Sequence, residues 1–540
     1  MSNRVQHVTI VGGGTAGWLA AGILHAGLNR RGEEEDVRIT VIESPNIPTV
    51  GVGEATTISM GQTLNLLGVD ERDFLKQCDG SFKCAVKFVN WNHGPDGGPL
   101  TFWHPFSRQG HLFGYDVTTH YNKARKLGVE PPFEEALFPA IPAIKNCQAP
   151  RPFEGKDYDG LFPYAYHMDA ALFAKYMTTY ATNLGVGHLR DDVTAVNLDE
   201  RGAVKSLTLK EHGDWPIELV LDCTGFRGLI IKDALGEPFE PYSEHLLCDK
   251  ALAVQIPYGQ TDRIDSYTTS TGLDAGWSWR VPLYSRLGTG YVFSSAFASD
   301  DQAITELRRH LDLPDDHPDP RVIPMRIGRS RRAWVKNCIA IGLSGGFIEP
   351  LESTSIHFTQ MALRWLIEFF PDRNINPALG AQYNRVVHNL YDEIRDFIVF
   401  HYATSNRTDT PFWIEAARET HIPDSLKSRL ELWKVKLPGA LECNNSFSLF
   451  ESCNYVDILM GKGWYDNVEL PAEAAVSLED YQEARKKLAA RARRISAAAP
   501  DHRAVLAQIR AGDYRPWYNP VAAPPPALHE VAEAAASAIA

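Results

Sequence analysis

The chain has 540 residues, 44% hydrophobic and 22% charged, the balance of a globular protein with material for a large core. Its formal net charge of -13 argues against a nucleic-acid partner, which needs a basic face, and the densest basic cluster, Arg326, Arg329, Arg331 and Arg332, is only local. No apolar run approaches the roughly 18 residues that span a bilayer, and the eight cysteines form no C-x-x-C pair, so neither a disulfide framework nor a metal site is indicated.

From the N-terminus, residues 7–11 predict a strand, 12–17 a glycine turn, 18–28 a helix and 37–42 a second strand after an acidic loop. No charged leader or apolar stretch precedes the first strand, so a cytoplasmic protein is expected. Residues 97–164, rich in Pro, Gly and aromatics, read as an insertion. Strand-like alternation follows at 193–198, 203–210 and 218–221. After Ser355 the pattern becomes helical, at 356–370, 383–402 and 426–433. A charged helix at 478–495 and an Ala/Pro-rich tail end the chain. There is no internal repeat.

Gly12-Gly13-Gly14-Thr15-Ala16-Gly17 fits G-x-G-x-x-G between a strand and a helix, the context the dinucleotide fingerprint demands. Gly12 makes the tight turn, Gly14 lets backbone approach a pyrophosphate, and Gly17 permits close helix packing. The helix offers unpaired N–H groups to phosphates, and Glu43 at the end of the second strand is placed to accept from a ribose. A later strand and glycine turn, Cys338 to Gly346 with Gly342 at its bend, and Asp222-Cys223-Thr224-Gly225 resemble flavoprotein turns and favour FAD over NAD. Gly276-Trp277-Ser278-Trp279-Arg280-Val281-Pro282 puts two tryptophans on one face of an extended strand, a rigid aromatic wall or a strand core.

Together these motifs resemble the flavin-dependent tryptophan halogenase family, from the first strand to about Asn454. Trp277 to Pro282 is similar to its W-x-W-x-I-P signature, with Val281 for isoleucine. Thr49-Val50-Gly51-Val52-Gly53-Glu54-Ala55-Thr56 resembles its flavin strap, Phe82 to Phe88 its catalytic lysine segment, and Glu349-Pro350-Leu351-Glu352-Ser353-Thr354 its halide and glutamate segment. The fold implied is α/β. A Rossmann-type FAD-binding, flavoprotein monooxygenase-like module spans residues 1–100 and 160–355, with the 101–159 insertion reaching the substrate pocket. A mostly helical substrate module spans 356–515, and 516–540 form a flexible tail.

The resemblance implies that reduced FAD, supplied by a separate flavin reductase through diffusion, reacts with oxygen and chloride or bromide to give hypohalous acid. That acid travels to Lys83, which either hydrogen-bonds it or carries the halogen as a haloamine. Glu352 stabilises the attacked ring and removes its proton. Trp277, Trp279 and Pro282 partition flavin from substrate. The cofactor set is Gly12, Gly14, Thr15, Ala16, Gly17, Glu43, Gly51, Gly53, Glu54, Ala55, Gly342 and Leu351. Thr354 and Ser355 hold the halide, although either hydroxyl is equally a helix N-cap; Ser355 stands where the family has glycine.

His104 and Phe106, in Phe102-Trp103-His104-Pro105-Phe106, correspond to its indole-stacking segment. Phe450 and Asn454 come from the helical module. Residues 437–448 offer no tyrosine pair to grip an amino-acid zwitterion, and an unpaired zwitterion is costly to bury. An indole or substituted indole is therefore preferred, with free tryptophan second and a larger indole-bearing molecule third. A flavoprotein monooxygenase and a non-catalytic redox carrier are the competing classes. Neither membrane nor metal is expected, and a homodimer stays open.

Overall fold

The computed structural model describes residues 4–29, 36–47, 53–112, 114–128, 130–259, 263–443 and 448–512. Gly51 of the expected strap and the 516–540 tail lie outside them.

Strand His7–Val11 is buried along its whole length and pairs in parallel with Arg38–Glu43 on one side and Leu219–Asp222 on the other. Gly187–Arg190 and Cys338–Ala340 extend the sheet in parallel, and Trp334–Val335 closes it antiparallel. Such strands are covered on both faces, which is why 7–11 and 38–42 read as nearly unbroken Val, Ile and Thr. Helix Thr15–Leu28 makes the crossover between the first two strands and begins three residues before the predicted start. The backbone at Gly12 has φ +114°, and a Cβ there would lie 2.2 Å from the Cys223 carbonyl oxygen; one at Gly17 would lie 1.9 Å from the Gly12 oxygen. Turn and helix therefore seat on the Cys223 strand end only without side chains.

A seven-stranded sheet forms the second layer, in the order Arg321–Pro324, Lys250–Pro257, Arg286–Phe293, Gly276–Pro282, Thr268–Leu273, Ala85–His93, Pro99–Pro105. The stretch read as an insertion thus opens with an edge strand of this sheet. A small antiparallel sheet joins Gly53–Ala55 and Ser81–Lys83 through Ala165–Asp169, so the strap remnant and the lysine segment share one partner strand.

Helix Ser355–Glu368 packs on Thr15–Leu28. Helix Pro377–Ala403, with Asn376 capping the Ala378 N–H and Pro377 in the first turn, runs 27 residues and delivers its last turn beside Glu352. Lys462 Nζ donates to the His401 carbonyl, within that turn, and to Thr404 Oγ1. Helix Ser452–Gly461 lies against Pro99–Pro105. His502, opening helix His502–Ala511, accepts the Phe82 N–H on Nε2 at 3.1 Å, next to Lys83.

All eight cysteines are free thiols. Of the local basic cluster, Arg329 and Arg331 pair with Glu240 and Arg332 with Glu237. No helix among the described residues is long and apolar enough to cross a membrane.

Gly12→Ala is expected to cost about 3 kcal/mol through overlap and strain at a positive φ. A lowered urea midpoint with unchanged slope checks it.

Candidate active site

A cavity of about 500 Å³ opens above the carboxyl ends of the parallel strands. Gly12, Gly14, Thr15 and Ala16 line it at one end, and Glu43 at the end of the second strand. Gly53, Glu54, Ala55, Gly342, Leu351 and Ser355 line the remainder, as do both tryptophans. A Cβ placed on Gly14 meets nothing within 4 Å, so the backbone there faces open space. Gly17 sits behind the turn as a packing residue and is not part of the lining. Glu43 Oε2 is 2.9 Å from His188 Nε2. Burial raises the Glu54 pKa to about 7.

Trp277 and Trp279 lie 6.4 Å apart, edge to face, on the strand side turned to this cavity. Trp277 is buried; its indole N–H donates to Glu349 Oε2 at 3.1 Å, and the Tyr402 hydroxyl donates to the same oxygen at 2.7 Å. Burial lifts the Glu349 carboxyl to about 7 against these donors. Trp91, 6.4 Å behind Trp277, makes an edge contact with His401 at 6.1 Å. The Pro282 carbonyl, at the strand's end, accepts from Ser81 in the lysine strand.

From Glu349 the chain enters a short 3-10 turn, Pro350–Glu352, that ends at Ser353 in the left-handed region, φ +62°. Leu351 is thereby sent to the cavity and Glu352 away from it. Glu352 is 3% exposed, and its Oε1 is held by His104 Nδ1 at 2.9 Å and His401 Nε2 at 3.1 Å. Burial pushes this carboxyl up, but the two histidines outweigh it and hold it at about 2.

Lys83, 1% exposed, donates to the Ser353 Oγ at 2.8 Å and to the Thr56 carbonyl at 3.1 Å. Its ammonium lies 5.3 Å from the Phe106 ring centre. Burial lowers it to about 8, with Glu352 pulling the other way.

Thr354 is the N-cap position of helix Ser355–Glu368, yet its hydroxyl caps nothing: Oγ1 is buried without a hydrogen-bond partner. The helix's first N–H groups lie where Ser355 meets the cavity, an arrangement suited to an anion.

Asn454 Oδ1 accepts the Glu451 N–H at 2.7 Å, and its Nδ2 meets His104 Nε2 at 2.9 Å. Phe450 faces His104 at 6.3 Å and stacks its ring on Phe397 at 3.8 Å. One wall of the expected aromatic sandwich is therefore a Phe450–Phe397 pair.

The lysine, the glutamate, the histidine and the anion-suited helix start thus meet around Ser353. The residues matching the tryptophan halogenase family model run from 7 to 477. The chain belongs to the tryptophan halogenase family. It is a flavin-dependent halogenase, an enzyme that works with FAD and a halide. Tryptophan 7-halogenase RebH of Lentzea aerocolonigenes is 36% identical over 502 residues, covering 87% of this chain and 92% of its own. The crystal structure of a tryptophan halogenase from Shewanella frigidimarina superposes with a TM-score of 0.88 at 32% identity, covering 94% and 98% of the two chains. BrvH, a flavin-dependent halogenase from Brevundimonas, gives 0.84 at 34%, covering 94% and 100%.

Sequence reasoning missed His401, Phe397, Ser353 and the Glu349–Tyr402 pair. His401 lies in the last turn of a long apolar-patterned helix; only its position four after Phe397, on one helical face, could have flagged it.

Because the folded Glu349 carboxyl titrates near 7 rather than 4.5, the folded state keeps a proton that the unfolded chain loses. Its contribution is full below about 4.5 and fades as pH rises through 7. Glu349→Gln is expected to gain about 2 kcal/mol on wild type between about pH 5 and pH 8, measured by denaturant melts at both values.

Proposed function

We propose that this halogenase acts on an indole-bearing aromatic held among His104, Phe106, Phe450 and Asn454, with Lys83 delivering the halogen and Glu352 taking the ring proton. The observation that carries the reading is the Lys83–Ser353–Glu352 arrangement: one turn holds an ammonium through a serine hydroxyl and aims a carboxylate beside it.

The open cradle at Gly14 fits FAD, with Gly12, Thr15, Ala16, Glu43, Gly53, Glu54, Ala55, Gly342 and Leu351 around it and Gly17 behind. FAD bound there, reduced by a separate flavin reductase, would supply with oxygen and halide the chemistry that makes hypohalous acid. Thr354 and Ser355 hold the halide through the free N–H groups and the orphan hydroxyl. Trp277 and Trp279 wall the cavity, and Pro282 ties their strand to the lysine strand. This separates the oxidant's source from the aromatic ring.

Lys83 spends two of its three N–H bonds on Thr56 and Ser353; the third is left to polarise hypohalous acid. We assign that role to the ammonium in preference to the haloamine, because both bonds are donated to oxygen. Glu352, ionised and beside the ring, stabilises positive charge there and accepts the proton.

RebH and the Shewanella frigidimarina protein are tryptophan halogenases by name. Here residues 437–448 lack paired tyrosines, and a desolvated zwitterion without partners is costly. Indole and substituted indoles are the preferred substrates, free tryptophan the second, in a cytoplasmic setting.

Product analysis with reduced FAD, oxygen, bromide and indole tests the reading: halogenated indole is expected, and hydroxylated indole alone overturns it. Lys83→Met is expected to abolish ring halogenation while FAD binding is retained, and to lower the melting temperature, because the Ser353 hydroxyl and the Thr56 carbonyl lose their buried donor. Wild-type halogenation is expected to fall as pH rises through about 8, where Lys83 loses its proton, while FAD binding persists.

A further inference from the structure

The hydrogen bonds around Glu352 fix where protons sit. Asn454 Oδ1 faces a backbone donor, the Glu451 N–H, so its Nδ2 is the group facing His104. His104 Nε2 must therefore accept, and its proton lies on Nδ1, donated to Glu352 Oε1. His401 Nδ1 stands 2.7 Å from the Phe397 carbonyl, which only accepts, so that nitrogen also carries a proton. His401 Nε2 then meets Glu352 Oε1 at 3.1 Å. Two lone pairs cannot face each other at that distance in a dry interior, so a further proton lies between them.

We propose that His401 carries that proton as an imidazolium, so that Glu352 enters ring deprotonation as half of a net-neutral pair with Oε1 occupied and Oε2 left to accept. His401 is thus a positioning residue, and the inference rests on Glu352 being the ring base. Among the described residues, no hydrogen bond engages Oε2. In the step, the C–H bond at the halogenated carbon breaks, its electron pair restores the aromatic ring, and the proton bonds to Oε2. The pair then carries one positive charge, released as a proton to water after product leaves.

The groups facing His401 act on this charge in both directions, burial being the larger influence and against it. Among the described residues, Glu352 is the only carboxylate hydrogen-bonded to it. Lys462 bonds the His401 carbonyl from the far side, and burial drives the Lys462 pKa well down, which limits its repulsion. His104 is neutral by the count above. Trp91, Phe88, Phe397 and Phe400 supply aromatic edges and faces. Burial lowers the His401 pKa, and the Glu352 bond opposes that fall.

The full chain labelled with 15N-histidine tests the proposal without cofactor or substrate. At about pH 7.5, one imidazole with both ring nitrogens protonated is expected, absent in His401→Gln and converted to a neutral ring in Glu352→Gln. A neutral His401 in wild type overturns it. His401→Gln keeps an N–H for Oε1 but no charge. It is expected to bind FAD normally and to lose about tenfold in kcat with KM unchanged; wild-type kcat overturns the proposal. If that variant does not fold, the wild-type and Glu352→Gln spectra decide. Glu352→Gln at full activity would instead overturn the reading of Glu352 as base, whereas an inactive Glu352→Gln beside a neutral His401 overturns only the present inference.

Discussion

The site depends on one backbone reversal. Ser353 adopts a left-handed conformation that costs a serine about 1 kcal/mol, and its hydroxyl accepts from Lys83 in the same geometry. In five residues the turn sends Leu351 to the cavity, Glu352 to the histidines, Ser353 to the lysine and Ser355 back to the cavity. A helix starting one residue earlier would move the free N–H groups off the cavity and swing Glu352 away from His104. Lys83 is therefore a tether for the turn.

Around that reversal the protein buries charge where water cannot compensate it, and it does so unequally. Glu352 has two imidazoles and stays ionised. Lys83 has a carbonyl and a hydroxyl, which hold an ammonium less firmly, so its proton becomes labile near neutral pH. Glu349, on the tryptophan side of the turn, is raised by burial against neutral donors alone, the Tyr402 phenol, the Trp277 indole N–H and Cys248, and retains its proton to about 7. Three titratable groups within a short stretch of structure thus have three proton affinities, set by the number and kind of their neighbours.

Much of this was legible in the sequence. The strand at 7–11 and the strand at 193–198 fall where alternation and burial place them, and the glycine turn has the contacts its spacing implies. Helix starts drifted by a few residues because Thr15 and Pro377 open helices ahead of their apolar stripes. Lys83, Glu352 and His104 were visible because they sit in short motifs. His401 was not, since a histidine on the buried face of a long helix looks like core until the fold brings the Pro350–Glu352 turn against it. The Phe450–Phe397 stack was hidden for the same reason: its halves lie 53 residues apart, one on helix Pro377–Ala403 and one in the bend before helix Ser452–Gly461. Within residues 97–164 the strand Pro99–Pro105 was not legible, because its last four residues are all buried and show no alternation.

The hold of His502 on the lysine strand reaches beyond packing. A backbone N–H one residue before Lys83 is satisfied by a side chain more than four hundred positions later in the chain. The lysine's placement is therefore completed only once the far end of the polypeptide has arrived. During synthesis, the last residues lining the cavity, on helix Ser355–Glu368, emerge well ahead of His502, so the cavity can form while the Lys83 strand still lacks its final support.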